Sequence, residues 1–402
     1  MKKILTFFAA AAICAISSLA GAQQLPNDPA VRKGTLENGL TYYIRHNDKP
    51  AQRAEFYLAT NVGAIQETPD QDGLAHFLEH MCFNGTKNFP GKALLDWLQS
   101  IGASFGGNVN ASTGIDQTQY MLNNIPLVRE TVVDTCLLIL HDYSHFVTND
   151  PVEIDKERPV IIEERRSRRN AQWRTFERSL PYYYGDNKYS TCTLIGSQEN
   201  LETFKPESLV NFYHTWYHPG NQAVIVVGDV DVDAVEAKIK ATWADIPAAE
   251  NPKPKDKFTL TEFTEPRIGI ITDPETTMPT VEILWESDAR DEALNSTTAG
   301  FSIDLIENLV SNVMSERLTD ITSKADAPFL QGMFGIGKLC EDFEAVIGRV
   351  ALKEDNILGG LQAFLVELQK MSRFGFSEGE VTRAKDNILA YLEKAVNEAD
   401  TR

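Results

Sequence analysis

The chain has 402 residues and a formal net charge of −19 at pH 7. Such an acidic balance excludes a nucleic-acid-binding protein, which needs a basic surface, and it leaves cationic peptides as candidate ligands. Hydrophobic residues make up 43% of the chain and charged residues 24%, proportions that are typical of a globular protein with two or three domains at this length.

The first 22 residues are typical of a secretory signal peptide. Lys2 and Lys3 form a positive start, residues 4–19 an apolar run, and residues 20–22 (Ala-Gly-Ala) a small-residue cleavage site. A membrane anchor is the alternative, but the run is short for a span and has no charged residue on its far side. We therefore expect a periplasmic or secreted protein with no membrane span after signal cleavage.

Residues 30–248 form a first segment that mixes strand and helix patterns. In chain order, the patterns predict a strand at 54–60, helices at 73–83 and 92–101, strands at 106–113 and 117–122, helices at 126–146 and 151–176, a strand at 223–227 and a helix at 232–243. This mixture of elements favours the α+β class.

Residues 249–258 are mostly polar and contain two prolines, which is typical of a linker. The second segment, residues 259–402, repeats the mixture, with predicted strands at 267–272, 280–285 and 343–351 and helices at 299–323, 354–372 and 378–398. It has fewer elements than the first and stops on a helix. We therefore expect that this second domain is truncated or needs a partner.

The cysteines outside the signal peptide do not indicate a metal cluster. They are Cys82, Cys136, Cys192 and Cys340. Four cysteines in a chain of this length do not make a disulfide scaffold, and none has the CxxC spacing of a zinc cluster. Export permits disulfides, but the spacing alone assigns no pairing.

His76 and His80 are the first candidates for metal ligands. They lie four residues apart in the predicted helix 73–83, so both imidazoles share one face and can reach one zinc ion. Glu79 lies on an adjoining part of that face, where it can reach a water on the metal without being a ligand. The alternative is a surface helix that carries these residues by chance, but the chain has only 7 histidines.

A catalytic zinc ion needs a third protein ligand and one open position. The best candidates lie in the predicted helix 151–176. Glu157 and Glu164 are seven residues apart, so they share a face of that helix, whereas Glu163 points about one residue's rotation away. For any single glutamate of this helix the alternative is an ordinary solvated surface.

Several segments resemble the pitrilysin/insulinase family of zinc metallopeptidases, whose inverted motif is His-x-x-Glu-His. Residues 76–90, HFLEHMCFNGTKNFP, are similar to its zinc-site helix and the following turn. Further resemblances cover an active-site sheet edge, a second metal helix, a strand that closes the first domain and part of the second domain, at residues 106–122, 157–164, 216–231 and 315–329.

The resemblance implies two tandem homologous α/β sandwich domains of the mitochondrial-processing-peptidase type, the first of them catalytic. It implies one Zn²⁺ ion held by His76, His80 and Glu164. It makes Glu79 the general base on a zinc-bound water and Glu157 an auxiliary carboxylate of the site.

The resemblance also gives the predicted strand 108–113 a role in binding. An extended substrate would add to this strand by β-augmentation, with Asn110 and Ala111 as contact points. The alternative, ordinary sheet structure with no ligand, is equally open at this stage.

The chain departs from the family pattern in two respects. His80 and Glu164 are 84 residues apart, somewhat more than is usual, which implies a small insertion. Enzymes of the family also usually close four such domains like a clamshell, whereas two are present here. We therefore expect a second half, in the same full-length chain or as a partner subunit.

The predicted function is a zinc-dependent endopeptidase that hydrolyses peptides or small unfolded proteins in the periplasm. A non-catalytic partner subunit and a peptide-binding protein of the same fold are the alternatives. The full set of His76, Glu79, His80 and Glu164 favours the enzyme, because a silent subunit has no need of it.

Overall fold

The structure is a computed structural model that describes residues 23–260 and 265–398, and the predicted signal peptide lies outside the described residues. The chain divides into two compact units. One spans Asn27–Lys257, and the other begins at Phe258 and includes residues 23–26. Among the described residues, no helix combines the length and the apolar character that a membrane span requires.

The first unit alternates short strands with helices. Its strands are β1 (Val31–Thr35), β2 (Thr41–His46), β3 (Arg53–Thr60), β4 (Val109–Thr113), β5 (Thr118–Pro126) and β6 (Gln222–Gly228). Its helices are α1 (Leu74–Met81), α2 (Ala93–Ser100), α3 (Thr131–His145), α4 (Pro151–Arg168), α5 (Ala171–Tyr184), α6 (Gln198–Thr203), α7 (Pro206–Trp216) and α8 (Val232–Thr242).

These strands form one mixed sheet in the order β1-β2-β6-β3-β5-β4. β2 and β6 run parallel, and the other neighbours pair antiparallel. On β3, the side chains of Ala54, Phe56 and Leu58 are buried while the intervening residues are partly exposed. A strand with one face on the core produces this alternation. β4 lies at the sheet edge, where its outer side carries an isolated bridge between Phe105 and Val109.

Helix α1 lies in the interior of this unit. All of its residues except His80 are buried, and it contacts β4, α4 and α7. Apolar residues on all sides are typical of a helix inside a core. His76 and Glu79 are therefore polar groups within that core, and burying them costs free energy unless each meets a polar partner or a metal ion.

The second unit has a three-stranded antiparallel sheet in the order β7-β9-β8 among its described residues. Phe329, Phe334 and Phe364 are almost fully buried in its core. Its elements are β7 (Thr280–Asp288), α9 (Glu292–Asn295), α10 (Thr298–Thr322), β8 (Gln331–Lys338), β9 (Phe343–Ala351), α11 (Ile357–Phe374) and α12 (Glu378–Asn397).

The combination of helices and sheets confirms the predicted α+β class, but some predicted elements are wrong. The single helix predicted over 151–176 is two helices, because Asn170 has an extended backbone and accepts the Trp173 N–H as an N-cap. Residues 267–272 form no strand, since no neighbour supplies a hydrogen-bonded ladder there. The patterns also missed β1, β2 and β8.

Asp142 fastens the turn that follows α1 to helix α3. Its buried carboxylate accepts hydrogen bonds from Thr86 Oγ1, the Asn88 N–H and Asn88 Nδ2, each at 2.7 Å. Burial alone would raise the pKa of Asp142, but hydrogen bonds from His141, Thr86 and Asn88 outweigh it and lower that pKa below its ordinary value. The turn therefore depends on one ionised carboxylate.

Replacing this carboxylate by an amide should destabilise the first unit. We expect Asp142→Asn to lower the free energy of unfolding at pH 7 by about 1–3 kcal/mol, because an amide leaves buried donors without acceptors. Since the folded-state pKa of Asp142 is lowered, its contribution is present above the unfolded pKa and is lost as pH falls through the folded value. The difference between wild type and variant should therefore shrink in acid.

Urea denaturation between pH 7 and pH 3 measures this difference. Asp233→Asn is the matched control, because Asp233 is exposed and pairs with Arg32 at the surface. Its effect should stay within about 0.5 kcal/mol. An unchanged stability of Asp142→Asn at pH 7 would show that the turn does not depend on the charge.

Candidate metal centre

Helices α1 and α4 bring three predicted ligands together. Nε2 of His76 lies 3.5 Å from Oε1 of Glu164, and Nε2 of His80 lies 3.2 Å from Oε2 of the same carboxylate. These three residues form the group among the described residues whose donor atoms all lie within 4.8 Å of one another. The two imidazole rings meet edge to face, with centroids 4.8 Å apart.

This donor set fits a zinc ion. Zinc bonds of about 2.1 Å at a tetrahedral angle place neighbouring ligand atoms about 3.4 Å apart, which matches the separations of both imidazole nitrogens from Glu164. Two histidines and one glutamate are also a donor set of catalytic zinc, which keeps a fourth position open. The other ring nitrogen of His76, Nδ1, is buried without a hydrogen-bond partner.

Glu157 lies behind His80, on the side away from Glu164. Its Oε1 is 2.8 Å from Nδ1 of His80, and its Oε2 accepts a hydrogen bond from Asn84 Nδ2 at 2.7 Å. A carboxylate in this place fixes the tautomer of a ligating histidine and turns its Nε2 toward the metal. The structure thus places Glu157 against a predicted ligand, in a position to orient it.

The carboxylates give this site a strongly anionic character. Hydrogen bonds from His76 and His80 lower the pKa of Glu164, and the bond from His80 lowers that of Glu157. Burial opposes protonation of His80, but hydrogen bonds to Glu157 and Glu164 outweigh it and raise its pKa to about 9. Two ionised carboxylates therefore converge on one imidazole and favour a cation there.

Glu163 points away from this cluster. Its side chain is exposed and forms an ion pair with Arg166. By contrast, Glu164 is mostly buried, and besides facing the two histidines it forms an ion pair with Arg168, whose Nη2 lies 2.7 Å from Oε1. Of the neighbours Glu163 and Glu164, the orientation of α4 therefore turns only Glu164 toward the two histidines.

Glu79 faces the edge strand of the sheet. Its Oε2 accepts a hydrogen bond from Thr113 Oγ1, at the end of β4, and the residue is 9% exposed. A carboxylate that is held on one oxygen keeps the other available for a proton. This link joins the candidate base directly to the strand that we predicted to bind substrate.

The predicted contact residues lie on that strand. The Asn123 N–H donates to the Asn108 carbonyl, and because the pattern alternates along an antiparallel pair, the backbone groups of Ala111 and Thr113 point to the open side. The outward N–H of Ala111 donates to Asn110 Oδ1 at 2.9 Å. An added strand would take over this N–H, so the Asn110 side chain must rotate away first.

Sequence patterns missed Asn84, Thr113 and Glu67, a buried carboxylate at the start of α1. Asn84 lies four residues after His80, a spacing that could have suggested a shared face. Thr113 is the last residue of the predicted strand 106–113, and no pattern distinguishes it from an ordinary strand residue. Glu67 comes from a loop, where no periodicity predicts contacts.

Two family models match the chain. The model described as insulinase (peptidase family M16) matches residues 42–189, and the model described as the M16 inactive domain matches residues 203–388. This chain belongs to the insulinase family, peptidase family M16. The two matches also confirm the predicted tandem of related domains.

The M16 relatives include proteins described as zinc proteases. The probable zinc protease PqqL of Escherichia coli is 30% identical over 385 residues, which are 95% of this chain and 40% of that protein. A zinc protease PQQL-like protein of Arabidopsis thaliana is 28% identical over 368 residues, 91% of this chain and 35% of that protein. This chain thus spans about two fifths of the length of these curated relatives.

Solved structures show the same fold. The periplasmic protease PqqL from Escherichia coli superposes with a TM-score of 0.86 and 28% identity, over 94% of this chain and 42% of that one. A structure of the first half of that protease has a TM-score of 0.82 and covers 94% of this chain and 80% of that one. The similarity therefore extends through both units of this chain.

Replacing each glutamate of the adjacent pair should separate their roles. We expect Glu164→Ala to lose bound zinc, because it removes a ligand, while Glu163→Ala keeps it, because Glu163 is exposed and paired with Arg166. Zinc content after gel filtration, measured by plasma mass spectrometry, distinguishes the two variants. Loss of zinc in Glu163→Ala alone would refute Glu164 as the ligand.

Proposed function

We propose that this M16 protein is a zinc-dependent endopeptidase that cleaves peptides or small unfolded proteins in the periplasm. Residues 30–248 are the catalytic domain, 249–258 the linker and 259–402 a non-catalytic domain. The observation that carries the proposal is the cluster of His76, His80 and Glu164, with the buried carboxylate of Glu79 on the same helix as the two histidines.

The three clustered residues would hold the ion, and Glu157 would orient His80 from behind. When bound, zinc supplies a Lewis acid that lowers the pKa of water and polarises the peptide carbonyl. Glu79 takes the proton of the attacking water on the carboxylate oxygen that Thr113 leaves available. It then passes that proton to the nitrogen of the leaving amine, so that one group serves as base and acid in turn.

The open side of β4 favours a substrate in an extended conformation. A peptide strand there would exchange hydrogen bonds with the outward backbone groups of Ala111 and Thr113. Because Thr113 also holds Glu79, a peptide paired along β4 passes directly beside the base. Backbone pairing of this kind needs an extended chain, which favours peptides and unfolded segments over folded proteins.

Relatives support the location and the need for a second half. The similar Escherichia coli protein is described as a periplasmic protease, and the structure of its first half covers the same two domains. We therefore propose that this part works together with a further part, in one full-length chain or as a partner subunit, which completes the enclosure around the peptide.

The first test removes the base and keeps the metal. We expect Glu79→Gln to retain zinc, because Glu79 is no ligand, and to lower kcat for an unstructured peptide by about 10² or more. Glu163→Gln is the control, since it changes a glutamate of the exposed face and should leave kcat unchanged. Turnover at the wild-type rate in zinc-loaded Glu79→Gln would refute the assignment of Glu79 as the general base.

The second test concerns the missing part. The chain of residues 23–402, shown to be monomeric and loaded with zinc, should cleave short unstructured peptides weakly. An open half leaves the substrate exposed to water and without groups opposite the zinc. Adding the remaining part of a full-length relative should raise the rate. Equal rates with and without that part would contradict a need for enclosure.

A further inference from the structure

Glu67 is a buried carboxylate that lies at the start of the helix carrying His76 and His80. Its residue is 6% exposed, although glutamate is seldom buried. Its Oε2 accepts the Gly73 N–H at 2.9 Å, and its Oε1 accepts the Ala75 N–H at 2.7 Å. The backbone N–H groups of a first helical turn have no acceptor within the helix. The carboxylate of Glu67 provides an acceptor for two of these N–H groups.

An ordinary N-cap side chain cannot fill this role. The N-cap of α1 is Gly73, whose φ of 89° lies in the left-handed region. A Cβ atom there would lie 2.3 Å from the backbone oxygen of Ile195. Serine, threonine, aspartate and asparagine, the usual N-caps, are therefore all excluded at this position. The acceptor has to come from elsewhere in the chain, and Glu67 reaches in from six residues upstream.

The backbone against which Gly73 packs is itself held in place. Asp72 accepts the Ser197 N–H at 2.7 Å on its carboxylate, and Asn200 Nδ2 donates to the Asp72 carbonyl at 2.7 Å. The start of α1 is thus fixed from one side by Glu67 and from the other by the loop that precedes α6.

The surroundings of Glu67 act on its pKa in opposite directions. Burial raises the pKa of Glu67 well above its ordinary value, and the hydrogen bonds from Ala75 and Gly73 oppose that rise. A carboxylate at a helix N-terminus also interacts favourably with the partial positive charge of the free N–H groups. Lys188, half-buried nearby, adds a favourable charge interaction.

The position of the bonds links Glu67 to the metal centre. Ala75, whose N–H it accepts, directly precedes His76, and His80 follows one turn later on a helix of eight residues. Movement of its first turn would carry both imidazoles away from Glu164, which is fixed on a different helix.

We propose that Glu67 is a positioning residue for the metal centre, which holds the first turn of α1 so that His76 and His80 converge with Glu164. This inference rests on the proposed zinc site, and its consequence is specific. Loss of Glu67 loosens the metal in a chain that is still folded, and it lowers kcat more than it changes KM.

The test compares Glu67→Gln with Glu380→Gln in the full chain. Glutamine keeps the shape of Glu67 but turns one acceptor into a donor that faces an N–H. Glu380 is the matched control, because it accepts the Ser377 N–H at the start of α12, far along the chain in the second unit. Zinc affinity is measured by chelator competition, ligand geometry by the visible spectrum of the cobalt-loaded protein, and folding by thermal denaturation.

We expect Glu67→Gln to weaken zinc binding by about tenfold or more, the scale found when groups that orient ligands are removed, and to alter the cobalt spectrum at a temperature where the variant is folded. Glu380→Gln should lower only the thermal midpoint. Should Glu67→Gln not fold, Glu67→Asp, which is one methylene too short to keep both bonds, is measured in the same way.

Two results would overturn the proposal. One is a folded Glu67 variant that binds zinc within about twofold of wild type with an unchanged cobalt spectrum, which would leave Glu67 a structural cap only. The other is an equal loss of zinc affinity in Glu380→Gln. Neither readout requires turnover, so a failure of the proposed peptidase activity would be seen separately, as absent cleavage in a chain that binds zinc normally.

Discussion

Three candidate ligands from two helices meet at one point, and the proposed function depends on that convergence. His80 and Glu164 are 84 residues apart in the sequence, yet their donor atoms lie 3.2 Å apart. Without a cation, two carboxylates and two imidazoles in a mostly buried site are costly. With one, the same groups stabilise each other. A metal site therefore accounts for the burial of His76 and for its closeness to His80 and Glu164.

Several side chains that touch no metal hold this arrangement. Glu157 directs His80 from behind, Glu67 holds the first turn of α1, and Asp142 fixes the turn after that helix. Thr113 connects Glu79, the proposed base, to the sheet edge. Each acts through hydrogen bonds that restrict the orientation of the group it contacts. Enzymes use such bonds to fix catalytic groups in place before the substrate binds. The candidate site and the edge strand β4 are consequently one connected structure.

Sequence predicts the parts of this structure that depend on local spacing. The shared face of His76 and His80 and that of Glu157 and Glu164 follow from helical geometry, whereas the choice of Glu164 as the ligand came from the family resemblance. The strands β3 and β6 follow from their β-branched and apolar runs. What depends on tertiary pairing was missed. β8 contains three glycines, which disfavour a strand, and it forms because β9 supplies a full ladder. The break at Asn170 and the loop contact of Glu67 likewise depend on side-chain bonds that no period shows.

The measurement that tests the central claim most directly is anomalous diffraction at the zinc absorption edge from crystals of the zinc-loaded protein. The account predicts one zinc peak in the first unit, with Nε2 of His76, Nε2 of His80 and a carboxylate oxygen of Glu164 at about 2.0–2.2 Å. Glu79 and Glu157 should both stay outside bonding distance. A peak at another place, or one bonded to Glu157 in place of Glu164, would contradict it.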